Sequence, residues 1–299
     1  YVGSTGLPAD NVADMYNRGV ELEIAYKKKF NDVNFGVSGN VSSIKNEVTY
    51  LGEGIDFITS GTGFQSMGNV TRTEVGESYN YFWGYQTDGI FQTLAEVNAY
   101  TNSTGGLIQP NAQPGDFRWV DADGDGAITG EDRVNLGSPL PKYTFGLNLN
   151  LDYKGFDLMV SAQGVAGNKI FQGLRRLDIL NSNYQTVAMS RWTGEGTSND
   201  YPRLTNVDAN GNFGKMSDFY LQKGDYLRFK VVQLGYTLPT TLSSKISAEK
   251  VRFFLTGENM WTLTKYTGYD PEIGGDVSGI DRGFYPQART FMFGANLQF

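Results

Sequence analysis

From Tyr143 to Tyr153 the chain alternates without a break. Tyr143, Phe145, Leu147, Leu149, Leu151 and Tyr153 fall on one face of an extended backbone, and Thr144, Gly146, Asn148, Asn150 and Asp152 on the other. A period of two is the mark of a strand with unlike faces. The length restricts the fold further, since strands in water-soluble domains average about 5–6 residues. At about 3.3 Å per residue and a tilt near 45°, the two tyrosines stand roughly 23 Å apart, the height of the apolar band of a transmembrane β-barrel with an aromatic girdle at each edge. The run therefore admits two settings: a wall facing hydrocarbon, or a long strand of a soluble sandwich.

Other stretches repeat the pattern. Val20, Leu22, Ile24 and Tyr26 alternate with Glu21, Glu23, Ala25 and Lys27, and after the Asn31-Asp32 turn Phe35, Val37, Gly39 and Val41 return. Lys154-Gly155 turns the chain into Phe156, Leu158, Val160 and Ala162. Val251, Phe253, Leu255, Trp261 and Leu263 form another stripe, and Phe291, Phe293, Ala295, Leu297 and Phe299 the last. Tyr226 to Leu238 changes phase, which predicts a bulge at Val231-Val232. Polar loops separate these runs at 49–72, 98–115, 165–225 and 265–284, and a short helix is expected over Asn183–Trp192. Tight turns at one end and long loops at the other make a membrane-barrel pattern, with the tight turns periplasmic and the long loops extracellular. Residues 49–141 hold either one long outer loop or one extra crossing hairpin built from Tyr79–Phe91 and a partner. The count is then seven or nine strands. Single-chain bacterial barrels have an even number, so the chain is expected to be part of a larger barrel.

Composition excludes several classes. No run approaches the roughly 18 apolar residues of a membrane helix. Cysteine and histidine are both absent, which removes disulfides, imidazole metal ligands and the Ser-His and Cys-His nucleophile pairs. No enzyme is expected. A net charge of −7 argues against nucleic acid as a partner. The chain opens at Tyr1 with neither an initiator Met nor a signal peptide, as expected of a processed chain or a piece of a longer one.

One stretch carries recognisable chemistry. Asp121, Asp123 and Asp125 stand at the first, third and fifth positions of a twelve-residue loop, Gly126 at the bend, Ala127 where a backbone carbonyl is offered, Ile128 as apolar anchor and Asp132 at the last position. This is the spacing of an EF-hand-type calcium loop, with Asp in place of the usual bidentate Glu. The expected ligands of a structural Ca2+ are Asp121, Asp123, Asp125, Ala127 and Asp132, with Glu131 a weaker substitute. The opposing reading is an Asp/Gly-rich surface turn without an ion. Glu21 and Glu23 share a strand face and are expected to line a lumen. Trp83, Trp119 and Tyr269 are candidates for stacking on sugar rings or for packing within loops, and Trp261 fits an interfacial belt. Arg175, Arg176, Arg191 and Arg203 are expected to pair with loop carboxylates or a partner.

The ending Gly294-x-x-Leu297-x-Phe299 resembles the C-terminal signal by which outer-membrane β-barrels are recognised for insertion. Taken in order, Asn17-Arg18-Gly19-Val20-Glu21, Gly84 to Phe91, Pro114-Gly115-Asp116 before the acidic loop, Pro141 to Gly146, Tyr153 to Leu158, Arg191-Trp192, Tyr201 to Leu204, Tyr226-Leu227-Arg228, Thr267 to Glu272 and Tyr285-Pro286-Gln287 resemble the SusC/RagA family of TonB-dependent outer-membrane transporters. That resemblance spans nearly the whole chain. It implies an all-β fold, the C-terminal strands of an antiparallel 22-stranded transmembrane barrel over residues 1–299, starting at the fourteenth or sixteenth strand. The N-terminal plug, the TonB-contacting segment and the first strands have no counterpart in these residues. It further implies import of oligosaccharides or peptides together with a SusD-like surface lipoprotein. Two alternatives stand beside it: a soluble, calcium-stabilised, glycan-binding β-module, and a siderophore or cobalamin receptor on the same barrel.

Overall fold

The computed structural model describes residues 12–59, 63–175, 182–273 and 279–299. Seven long strands form one sheet: β1 (Ala13–Phe30), β2 (Val33–Leu51), β3 (Tyr143–Tyr153), β4 (Phe156–Ala166), β5 (Tyr226–Thr237), β6 (Lys250–Thr264) and β7 (Thr290–Gln298). Each pairs antiparallel with the next, so spatial order follows chain order. Among the described residues no strand of 52–142 joins this sheet, which decides the count at seven. The tight turns at Asn31-Asp32 and Lys154-Gly155, the short connection 238–249 and the end of β7 share one edge of the wall. The long loops share the other.

Register carries the apolar stripe across all seven strands. One row runs Tyr26, Val37, Leu149, Val160, Val232, Gly257, Phe291. The next runs Lys28, Phe35, Leu151, Leu158, Leu234, Leu255, Phe293. Between them on the opposite face lie Lys27, Gly36, Asn150, Met159, Gln233, Thr256 and Met292. Among the described residues no second sheet covers the apolar side: Leu255 is 59% exposed, Phe291 73% and Leu147 48%. The sandwich expectation fails on this point, because an apolar face of that extent in water would be a severe liability.

The phase change in β5 has a local cause. Ser161 pairs with Val231 and Ala162 with Phe229, so Lys230 is the extra residue, one position before the expected bulge. It leaves Leu227 and Phe229 on the same face as Val232, Leu234 and Tyr236. β6 answers with Asn259, whose φ is +52°, and then resumes with Trp261 opposite Phe229. On the polar side Gly294 is required by a close approach, since a Cβ there would stand 2.2 Å from the Phe254 ring.

The long loops fold into small sheets of their own. Phe57–Thr59, Thr71–Glu74, Tyr81–Gly84 and Val134–Gly137 make one, and Thr87–Ile90 pairs with Phe117–Trp119. A third joins Lys169–Gln172 to Leu221–Lys223 and, in parallel, to Ile280–Asp281. The principal core beneath them collects Phe64, Val70 and Phe82 from the first loop, Phe171, Met216 and Tyr220 from the second, and Ile280 from the third. Three connections far apart in sequence thus share one hydrophobic centre and form a single cap. Two helical details differ from expectation. Leu94–Ala99 is an α-helix begun by Thr93, whose side chain accepts from the Glu96 N–H. Over 183–192 only the 3₁₀ turn Thr186–Ser190 forms.

Candidate calcium loop and its surroundings

Asp121–Asp132 lies in the first loop, between the strands Phe117–Trp119 and Val134–Gly137. Short carboxylate side chains fold back onto nearby backbone N–H groups and so shape such a loop. The Gly124 and Gly126 N–H groups donate to the two oxygens of Asp121 (2.8 and 2.9 Å). Asp125 N–H donates to Asp123 Oδ1 (3.0 Å) and Ala127 N–H to Asp125 Oδ1 (2.8 Å). Ala122 and Thr129 N–H each reach one oxygen of Asp132 at 2.7 Å. The bend at Gly126 has φ +86°, and a Cβ there would stand 2.5 Å from Asn102 Cβ.

Three of the expected ligands converge. Asp121, Asp123 and Asp132 each offer one carboxylate oxygen, all within 4.8 Å of one another. Asp125 and Glu131 are outside that group. At this separation each pair of charges repels by about 1 kcal/mol in water and roughly 3–4 kcal/mol at the effective dielectric of a protein surface. A hard dication with oxygen ligands fits the donor set. Asp132 is fully buried, and Ile128 packs against Ile90, Phe117 and Trp119, as its anchoring position predicted. The ammonium of Lys215 stands over the Tyr85 and Trp119 rings, 5.0 and 5.1 Å from their centroids. Burial lowers its pKa from the usual lysine value, while Asp132 and Asp208 pull it back up.

Two polar networks that single residues in the sequence did not announce tie the structure together. Inside the cap, buried Asp116 accepts from Arg203 Nε (2.7 Å) and Nη2 (3.1 Å), from Asn212 Nδ2 (2.8 Å) and from Gln113 N–H (2.8 Å). This fulfils the expectation that Arg203 meets a loop carboxylate. On the polar face of the wall, Arg228 donates to Asp270, to Glu272 Oε2 (2.8 Å) and to Thr262 Oγ1 (2.9 Å). Lys230, the bulge residue, adds 3.0 Å to Glu272. Asp270 also accepts from the Gln287 N–H at 2.9 Å. The third loop is therefore moored to the wall by charges, and the bulge supplies one of them.

The aromatic candidates separate. Trp119 is fully buried, so it packs rather than presenting a face to a ligand. Trp83 is half-buried, with the Arg72 guanidinium 4.3 Å from its ring centroid. Tyr269 is 68% exposed and free to stack. Trp261 stands on the outward face, edge-on to Phe229 at 5.9 Å. Glu21 and Glu23 lie opposite Ser42 and Asn40 on the polar face. The Arg175 guanidinium stacks 3.9 Å from the Tyr184 ring centroid, Arg191 Nη1 donates to Ala188 O (3.3 Å), and Arg176 lies outside the described residues. The signals that could have flagged the missed residues are charges on a strand position of the polar face, Arg228, and in an apolar-flanked loop, Asp116.

No family model matches the chain. Two TonB-dependent receptors of Formosa agariphila, P3 and P26, are each 30% identical to it across 97% of its length. TonB-dependent receptor SusC of Bacteroides thetaiotaomicron is 26% identical, again across 97%. The chain spans only 29%, 30% and 27% of these three relatives. Of solved structures, the RagAB peptide importer in the open-open state superposes with a TM-score of 0.73 at 23% identity, covering 97% of this chain and 29% of that one. A second structure of the RagAB peptide transporter gives 0.72 at 24% identity, covering 97% and 30%. At these identities the structural likeness speaks for the fold alone. All three sequence relatives are named as TonB-dependent receptors.

Proposed function

We propose, from the premise that this chain is a homologue of the SusC-type TonB-dependent receptors along 97% of its length, that it forms the closing part of an outer-membrane nutrient importer. The observation that carries the reading is the wall's register, which keeps seven apolar stripes on one exposed face. Hydrocarbon solvates such a face and water does not. The outer edges of β1 and β7 have no neighbour strand among the described residues, and unpaired backbone is not tolerated in lipid, so further strands must close the barrel. In a 22-stranded barrel these seven would be the sixteenth to the twenty-second, with the tight turns periplasmic and the cap outside. The energy source is TonB, acting through the rest of the protein, and the cap is the surface on which a SusD-like lipoprotein closes. The cargo is an oligosaccharide or a peptide. Uptake of defined glycans, peptides and metal chelates by a deletion strain, with and without the full-length receptor, tests this. Growth restored only by a chelate would overturn the cargo class, and a full-length receptor that stays monodisperse without detergent would overturn the membrane reading in favour of a soluble glycan-binding module.

The same reading assigns a structural Ca2+ to the acidic loop, held by Asp121, Asp123 and Asp132, with Asp125 and the Ala127 carbonyl as remaining ligands. Its role is to neutralise the converging carboxylates that sit beside the cap's Trp119 core. Chelation of the full-length receptor should increase proteolysis of the cap, calcium should reverse it, and Asp121→Asn should raise the calcium needed at least tenfold. Equal proteolysis with and without chelator would remove the ion from the proposal.

A further inference from the structure

The top of the outward face carries a feature that nutrient import does not use. The uppermost row of this face shared by β3 to β6 runs Phe145, Gly164, Leu227, Leu263. Ala166 is the next residue on this face of β4, and Asp225, Lys223 and Lys265 lie just beyond the upper ends of β5 and β6. Phe145, Ala166, Leu263, Asp225, Lys223 and Lys265, together with the strand-end residues 165, 226 and 264, line an open groove of about 390 Å³. Its floor is apolar and continuous with the membrane face; its upper lip is cationic. Lys223 and Lys265 are both exposed, and neither forms an ion pair among the described residues. Lys169, directly across the short ladder from Lys223, adds a third positive charge nearby. This is notable in a chain whose net charge is −7. Asp225 also lines the groove, with Oδ1 accepting the Gly167 N–H at 2.7 Å, so one carboxylate stands against two ammonium groups and the lip stays net positive.

We propose that this groove binds an anionic membrane lipid of the leaflet on the loop side, its acyl chain against Phe145 and Leu263 and its phosphate between Lys223 and Lys265. The inference rests on the wall facing a bilayer. Charge complementarity selects the occupant. A zwitterionic headgroup gains little from two unpaired ammonium groups, and a soluble anion gains nothing from the apolar floor. The long lysine stems reach upward to the headgroup level while their methylenes cover apolar surface. Near a membrane each such lysine strengthens attraction to an anionic lipid by about fivefold.

The test is lipid retention by the full-length receptor purified in detergent and titrated with phosphatidylglycerol or with phosphatidylcholine, read by native mass spectrometry. The wild type should hold phosphatidylglycerol the more tightly. Lys223→Gln with Lys265→Gln should lose that preference by more than tenfold, while Lys28→Gln, at the opposite end of the same face, should keep it. Phe145→Ala should weaken both lipids alike. Equal retention of the two lipids by the wild type, or an unchanged preference in the double variant, would overturn the assignment while leaving the membrane wall intact. A receptor that retains neither lipid and needs no detergent would overturn the wall and the groove together.

Discussion

The wall and the cap use the same amino acids in opposite ways. In the cap, Phe82, Phe171 and Trp119 are fully buried and charges such as Asp116 are enclosed only with partners. In the wall, the apolar residues are the exposed ones, and the charged groups Arg228, Lys230, Asp157 and Arg252 lie on the polar face. On the membrane reading proposed above, the cap is a globule set in water and the wall is that globule's logic turned outward, so that what differs is the solvent each face meets. A burial pattern therefore reports the surroundings of a segment as much as its packing.

The largest effects should come from breaking the cap. Phe171→Ala removes the ring that touches Phe64, Phe82 and Tyr220 at the meeting point of the first two loops. It should cost about 3–5 kcal/mol of cap stability, seen as proteolytic opening of the loops in a full-length receptor whose wall still resists protease. Arg203→Met leaves Asp116 enclosed with two neutral hydrogen-bond donors and no cation, and should cost about 3 kcal/mol by the same measurement. The wall should answer to a different probe. Leu147→Arg, at mid-height of the apolar face, should lower folding stability in lipid vesicles by about 2–4 kcal/mol, whereas Asn148→Arg, one residue on and exposed on the polar side, should stay within about 1 kcal/mol. Equal penalties at 147 and 148 would erase the distinction drawn between the two faces.

The smallest expected effect is a pH dependence confined to the cap. Burial raises the Asp218 pKa, and hydrogen bonds from the Thr87 N–H and hydroxyl oppose that rise in part. A carboxyl with a raised folded-state value binds its proton more tightly when folded. Its contribution is therefore fully present below the ordinary carboxylate value and is lost as pH rises through the folded one. Asp218→Asn should flatten cap stability across that window while leaving the wall's unchanged, as followed by proteolysis at a series of pH values.

Much of the wall was legible in advance because a strand's faces are fixed by local alternation. Tyr143–Tyr153 and Lys250–Thr264 fell where the pattern put them. The bulge in β5 was visible as a phase change but was placed at Val231-Val232, because its position depends on which residues of β4 and β6 lie opposite. The twelve-residue acidic loop could be read for the same local reason: its carboxylates reach backbone N–H groups two to five residues away, and Asp132 closes the loop by reaching back ten residues to Ala122. The cap could not be read. Asp116 and Arg203 are 87 residues apart, and Phe82, Phe171 and Ile280 meet only because three separate loops converge.

By itself the sequence determined which residues form the wall's strands, which side of each is oily, and where the carboxylates of the acidic loop fall, because all of these follow from spacing along one backbone. Only the tertiary structure decided that the strands number seven, that Lys230 is the inserted residue, that the loops make one body, and that Arg228 moors the last of them. Those outcomes depend on which distant segments become neighbours, and the free energy of such meetings belongs to pairs of segments rather than to either one.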